Sequence, residues 1–232
     1  MTKLTDAIKR QDVAEVKRLI TEEHVDVDEL YRSDPGRMPV RKPPFLFAAE
    51  TGNVQIGRML KEAGADLDAV DFPLREDALT KAMKYPDFVR FLLVKCRFDL
   101  NRKNNRGETF LSECLTEITL ELVPVIKFLI EEFMVQPTVE DINWVKSEIQ
   151  EHDPKGKETK RILDHSDDAS ERDKLHRVKT RIYHNYTEAL RILESVPLKS
   201  SVVTPVPDIF GFKHRKPRKR KVNEPKKKAK VR

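Results

Sequence analysis

The feature of this 232-residue sequence that most restricts its fold is internal repetition. Small or apolar pairs recur at Ala7-Ile8, Ala48-Ala49, Ala82-Met83 and Cys114-Leu115, their first members 41, 34 and 32 residues apart. A second set of apolar pairs follows at Leu19-Ile20, Met59-Leu60, Leu92-Leu93 and Leu129-Ile130. Asp-x-Asp/Asn closes three units, at Asp26-Val27-Asp28, Asp66-Leu67-Asp68 and Asp99-Leu100-Asn101. A period of this size belongs to a helical solenoid, in which no unit buries its own apolar face and stability comes from stacking neighbours.

Each unit reads as a short helix with small residues, a turn at Gly52-Asn53 or Tyr85-Pro86, and a second helix. In the second helices Val54, Ile56, Met59 and Leu60, or Phe88, Phe91 and Leu92, fall on one side at helical spacing. Gly64 sits just past a helix end, where a left-handed residue costs little. Pro124 suits the first turn of a helix over Val125–Phe133, since its missing N–H removes no helical bond there.

The run PPFLFAAETGNVQIGRMLKEAGADLDA, Pro43 to Ala69, resembles the ankyrin-repeat family nearly throughout, and NRGETFLSECL, Asn105 to Leu115, resembles the start of that family's next repeat. Ala48-Ala49 followed by Gly52-Asn53, and Ala63-Gly64-Ala65-Asp66, are its specific marks. The resemblance covers roughly residues 1–137. The family's Thr-Pro-Leu-His turn here reads Pro43-Pro44-Phe45-Leu46, Asp77-Ala78-Leu79-Thr80 and Thr109-Phe110-Leu111-Ser112, and the third repeat is shortened around Lys84-Tyr85-Pro86. The expected fold is therefore all-α: an ankyrin-repeat solenoid of about four irregular repeats over 1–137. What the resemblance implies for function is a protein partner held by the concave face and the hairpin fingers. The finger-tip positions expected to bind it are Asp71, Phe72, Arg75, Arg102, Lys103 and Arg106. At Phe72 two readings stand side by side, a ring that meets a partner and a ring tucked beneath its own loop. The connection Glu29 to Pro44 is longer than the family's usual link and contains Arg32, Arg37, Arg41, Lys42 and four prolines. It reads either as a tolerated surface insertion or as a basic binding finger.

Beyond the repeats, Thr138 stands three residues ahead of Asp141, a helix start resembling a capping box. A capping helix over 138–150 with Ile142, Val145 and Ile149 on one face is expected to shield the open end of the stack. Trp144 beside that face is either part of the cover or a partner contact. Residues 151–168 read as a linker, with Pro154 and Gly156 among charges. Over 169–196, Leu175, Val178, Ile182, Tyr186, Ala189, Leu190 and Leu193 form an apolar stripe of period 3.6, hence a long amphipathic helix. It packs back on the stack or takes a partner helix; dimerisation is open but not favoured.

Charge is distributed unevenly. Of the total +6, the last twenty residues, Lys213–Arg232, hold twelve Lys/Arg and one acid, Glu224, a net +11, which leaves residues 1–212 at −5. Residues 197–232 are punctuated by prolines, have almost no apolar periodicity and read as a disordered basic tail. Within it, Arg215, Lys216, Arg218, Lys219, Arg220 and Lys221, then Lys226, Lys227, Lys228 and Lys230, resemble two monopartite nuclear-import signals. This implies an import receptor as partner and the nucleus as location. The same charges suit non-specific nucleic-acid binding, without aromatic interleaving for base recognition. Thr204, ahead of Pro205, is a candidate phosphosite.

Motifs of catalysis are not found: no Gly-rich phosphate loop, GxSxG, HExxH or CxxC. His176 and His184 are about 12 Å apart on a helix, too far for one metal. Asp167-Asp168 reads as a solvated loop. No catalytic, cofactor-binding or metal residues are assigned, and no cofactor is expected. Two isolated cysteines point to a reducing, intracellular compartment. The opening MTKLTDAIKRQD lacks a signal-peptide core, and no apolar run reaches the ~18 residues of a membrane span. The expected function is a non-enzymatic nuclear adaptor or regulator. The alternatives are a chromatin- or RNA-associated protein acting through its tail, and a chaperone or inhibitor masking a basic client.

Overall fold

Stacked helical pairs make up most of what the computed structural model describes, namely residues 2–32, 41–104, 106–164 and 169–197. Eleven α-helices stand against two strands of two residues each among these residues, and the chain is mostly helical, as an all-α reading requires. The first four pairs are α1 (Lys3–Lys9) with α2 (Val13–Thr21), α3 (Pro44–Thr51) with α4 (Val54–Glu62), α5 (Ala78–Ala82) with α6 (Pro86–Phe91), and α7 (Phe110–Thr116) with α8 (Leu122–Glu131). Then follow α9 (Val139–His152), α10 (Lys157–Asp164) and α11 (Ala169–Glu194).

Two rows result. In the first, α1 packs on α3, α3 on α5, α5 on α7 and α7 on α9; in the second, α2 packs on α4, α4 on α6, α6 on α8 and α8 on α11. Because α9 and α11 also pack on each other, α11 occupies the place of a second helix in a fifth pair.

The sequence explains these elements locally. Side-chain oxygens of Thr2, Asp12, Asn53, Asp77, Thr109 and Thr138 each accept a backbone N–H in the first turn that follows. Such a cap is worth about 1 kcal/mol. At Thr138 the box closes reciprocally, with the Asp141 carboxylate accepting the Thr138 N–H at 2.8 Å. The second helices end alike, on a left-handed residue: His24 after α2, Gly64 after α4, Arg97 after a π-turn (Leu92–Cys96) that continues α6, and Met134 after α8. The next N–H returns to a carbonyl one turn back in each case: Val25 to Leu19, Ala65 to Leu60, Phe98 to Leu92 and Val135 to Leu129. This turn satisfies carbonyls that a helix end leaves unpaired.

Small residues set the row spacing. Ala7, Ala48, Ala49 and Ala82 are fully buried where first-row helices meet. In the second row Gly57 of α4 lies against α6, where an added Cβ would stand 2.8 Å from the Phe88 ring. Phe45, Phe88, Leu60 and Ile126 are among the largest fully buried side chains.

Two sequence expectations need correction. The linker over 151–168 contains α10, entered by a turn in which Gly156 N–H bonds the Asp153 carbonyl at 2.9 Å; its Thr159 is buried although the segment is dominated by charge. The last helix of the fourth pair begins at Leu122 rather than Val125, with Pro124 still in its first turn. In the long connection ahead of α3, β1 (Tyr31–Arg32) and β2 (Arg41–Lys42) pair antiparallel. The apolar stripe of α11 is buried at Tyr186, Ala189, Ile192 and Leu193, but Val178 is exposed and Lys179 is buried, its ammonium against the Glu151 carbonyl. Packing on α9 and α8 covers the second half of the helix more than the first.

Candidate functional site

A ladder of polar contacts crosses the first row and carries the loops that precede its helices. Lys42 of β2 bonds the Glu50 carboxylate of α3. Glu50 in turn lies 3.7 Å from the Lys81 ammonium of α5, which also holds Asp71 at 2.8 Å and Glu76. One residue away, Thr80 donates to Glu113 of α7 at 3.1 Å, and Ser112 donates to Asp141 of α9 at 2.7 Å. Burial opposes the Lys81 charge, but Asp71 and Glu76 prevail and hold its pKa above the ordinary lysine value. Burial pushes the Glu113 carboxyl above the ordinary carboxylate value, against the hydrogen bond from Thr80.

Above this ladder the loop between α4 and α5 is built tightly. Phe72 exchanges both backbone hydrogen bonds with Arg41, at 2.9 and 3.2 Å, so it extends the β1–β2 ribbon. Asp71 N–H bonds the Glu76 carbonyl at 3.0 Å, and its carboxylate accepts the Glu76 N–H at 2.8 Å. Arg75 turns the chain in the left-handed region, at φ 58°. With its backbone so constrained, Phe72 is still 46% exposed and Leu74 60%. The Arg41 guanidinium lies 5.8 Å from the Phe72 ring centre, covering part of the ring without burying it.

The positions expected at the finger tips therefore divide. Asp71 is corrected: only 5% exposed and clamped by Lys81, it serves the loop's own structure and cannot present its carboxylate to a partner. Phe72, Arg75, Arg102, Lys103 and Arg106 are exposed. Arg102 lies 3.6 Å from Asp77 and ties the third finger to the entry of α5, while Arg106 pairs with Glu108 at 3.0 Å within the finger. That finger is shaped by Asn104, whose side-chain oxygen accepts the N–H groups of Arg106 and Glu108 at 2.9 and 3.0 Å.

Sequence reasoning missed Leu74, Met134 and Val139, exposed apolar residues on the same edge, and Lys81, which organises it. Met134 was legible only through the recurrence of the left-handed turn that His24, Gly64 and Arg97 also make. Arg37, Thr204 and the ten basic residues read as import signals, Arg215 to Lys230, lie outside the described residues.

Trp144 packs on α11, edge to face with Tyr186 at 5.6 Å, and His152 stacks on the same ring. Burial, then the neighbouring carboxylates of Glu148 and Glu151, push the Tyr186 hydroxyl pKa well up. Burial does the same to the Cys114 thiol, which lies beside the negative charges of Glu113 and Glu117. Among the described residues no group of three or more His, Cys, Asp or Glu is placed to hold a metal ion. No described helix is long and apolar enough to cross a membrane. No protein-family model matches the chain, and no curated protein matches it.

Proposed function

We propose that the chain is a non-enzymatic ankyrin-repeat adaptor of the nucleus, binding a protein partner along its finger edge and an import receptor through its basic tail. The repeat reading is supported by four helix pairs in two rows whose second helices all close on a left-handed residue. The interaction reading rests on one observation: Phe72 is held by two backbone hydrogen bonds and a clamped neighbour, and its ring is nonetheless half exposed. A loop that is rigid and keeps a large apolar side chain in water gains nothing for its own fold. It gives a partner a contact whose ordering cost is already met. Arg75 on the same loop and Lys103 on the next one are exposed and supply charge. The import reading is supported by the sequence, where two Lys/Arg runs each follow a proline.

Affinity capture from nuclear extract, nuclease-treated, with the full chain and with Phe72→Ala/Lys103→Glu tests the first part. The expected result is a discrete protein retained by the parent chain and depleted by the double variant. Equal capture by both chains sinks the edge as the binding site. The net +11 of the last twenty residues favours a second reading, nucleic-acid contact through the tail. Capture that disappears with nuclease and falls steeply with salt would put that reading first.

A further inference from the structure

We infer that the partner segment taken by this edge is extended and acidic, with an apolar side chain at each end about six residues apart; this rests on the adaptor reading above. The loops that precede α5, α7 and α9 lie on one edge, because each leads from a second-row helix into the next first-row helix. On these three loops large exposed apolar side chains form two groups; Leu30, 40% exposed, stands outside them on the loop that precedes α3. Phe72 and Leu74 stand ahead of α5, and Met134, 47% exposed, and Val139, 55% exposed, stand at the entry to α9. The loop between them, ahead of α7, has no large exposed apolar residue among the described ones; it presents Lys103 with Arg102 and Arg106.

Single exposed apolar residues are ordinary on protein surfaces. Two groups on one edge, separated by a cationic loop, make a pattern with a length. Neighbouring packed helices lie about 8–10 Å apart, so two steps along the row separate the groups by roughly 20 Å. An extended chain advances about 3.3 Å per residue and covers that distance in about six residues. Both anchors are preorganised. Phe72 is fixed by its backbone pairing with Arg41, and Met134 by the left-handed turn in which Val135 N–H bonds the Leu129 carbonyl at 3.0 Å.

Several acids near the edge are engaged, while Asp66, Asp68 and Asp99 on the same loops and Glu140 in the first turn of α9 are exposed. Asp71 and Glu76 are held by Lys81, Asp77 accepts the N–H groups of Leu79 and Thr80, and Glu108 accepts from Asn104 and Arg106. The middle loop carries Arg102, Lys103 and Arg106, of which Arg102 and Arg106 also contact Asp77 and Glu108; its net charge is positive, and carboxylates between two apolar anchors complement it.

Fluorescence anisotropy with the full chain and three labelled synthetic peptides tests this. The first peptide has two leucines about six residues apart with Asp and Glu between them. The second has the same leucines around a lysine core, and the third keeps the acidic composition with the leucines adjacent. The first peptide is expected to bind at least about tenfold more tightly than the others, with about tenfold lost in Phe72→Ala and again in Met134→Ser, and several-fold in Lys103→Glu. All three positions are exposed, and thermal melts confirm that the variants fold. Equal binding of the peptides, no binding, or a preference that none of the substitutions alters overturns the inference. If capture from extract depends on Phe72 while all three peptides fail, only the inferred chemistry falls; if capture ignores Phe72, the adaptor reading falls with it.

Discussion

At Lys81 one ammonium stands among three carboxylates, and the loop that presents Phe72 depends on it. Removing this cation leaves Asp71 buried without its counter-charge, a loss that typically costs about 3–5 kcal/mol. Lys81→Met is expected to destabilise by about 3 kcal/mol in urea unfolding. Phe72→Ala, at an exposed tip, should stay within about 1 kcal/mol of the parent. Glu113 gives a pH-dependent counterpart. Its folded pKa is raised above 4.5, so the folded chain binds the proton more tightly than the unfolded one. Stability linked to Glu113 is therefore fully present below the unfolded value and is lost as pH rises through the folded one. Glu113→Gln, which still accepts from Thr80, should raise the melting temperature at neutral pH and lose that advantage below about pH 4. An unchanged pH profile in the variant refutes this assignment. Asp71 shows what the sequence conceals at this scale: it reads as a finger-tip residue, but it is buried against Lys81, on the helix that follows the loop.

Single helices test how closely the rows pack. Replacing a helical glycine with alanine normally gains up to about 1 kcal/mol from propensity. At Gly57 the new methyl meets the Phe88 ring, which Phe45 and Phe91 already flank at 6.2 and 5.4 Å. Overpacking of this kind costs about 1–3 kcal/mol, so Gly57→Ala should lower stability despite the better helix former. On α11 the contrast lies within one stripe. Leu193→Ala is expected to cost about 2–5 kcal/mol and Val178→Ala no more than about 0.5 kcal/mol, both by chemical denaturation. The stripe was legible from its period, and the Thr138 cap from its spacing to Asp141. Which end of the stripe is covered was not, because that depends on where α9 and α8 end. α10 escaped notice for a related reason: its fully buried Thr159 is polar, and no apolar alternation announces the helix.

Across the whole molecule, the hydrogen bonds and ion pairs from Lys42 to Asp141 join α3, α5, α7 and α9, while the second row is held mainly by apolar contact, with one ion pair from Arg90 of α6 to Glu132 at the end of α8. Opening between neighbouring pairs exposes both kinds of surface at once, which favours cooperative unfolding. The buried thiols report on this. Cys96 and Cys114 should resist a soluble thiol reagent in native buffer and react together across the urea transition; rapid native labelling of Cys114 would contradict its burial. The pairing of helices was legible because its determinants, small pairs and turn residues, are local in sequence. The fifth pair was not, because its members α9 and α11 are separated by α10.

That separation has a consequence during synthesis. The face of α9 that carries Val145 and Trp144 leaves the ribosome well before α11 is complete, and translation of the 42 residues from 153 to 194 takes roughly 2–8 s at 5–20 residues per second. For that interval the nascent stack ends in an uncovered apolar surface, long enough for a chaperone to visit. A message broken or stopped between these two helices would yield a chain in which that surface is never sealed.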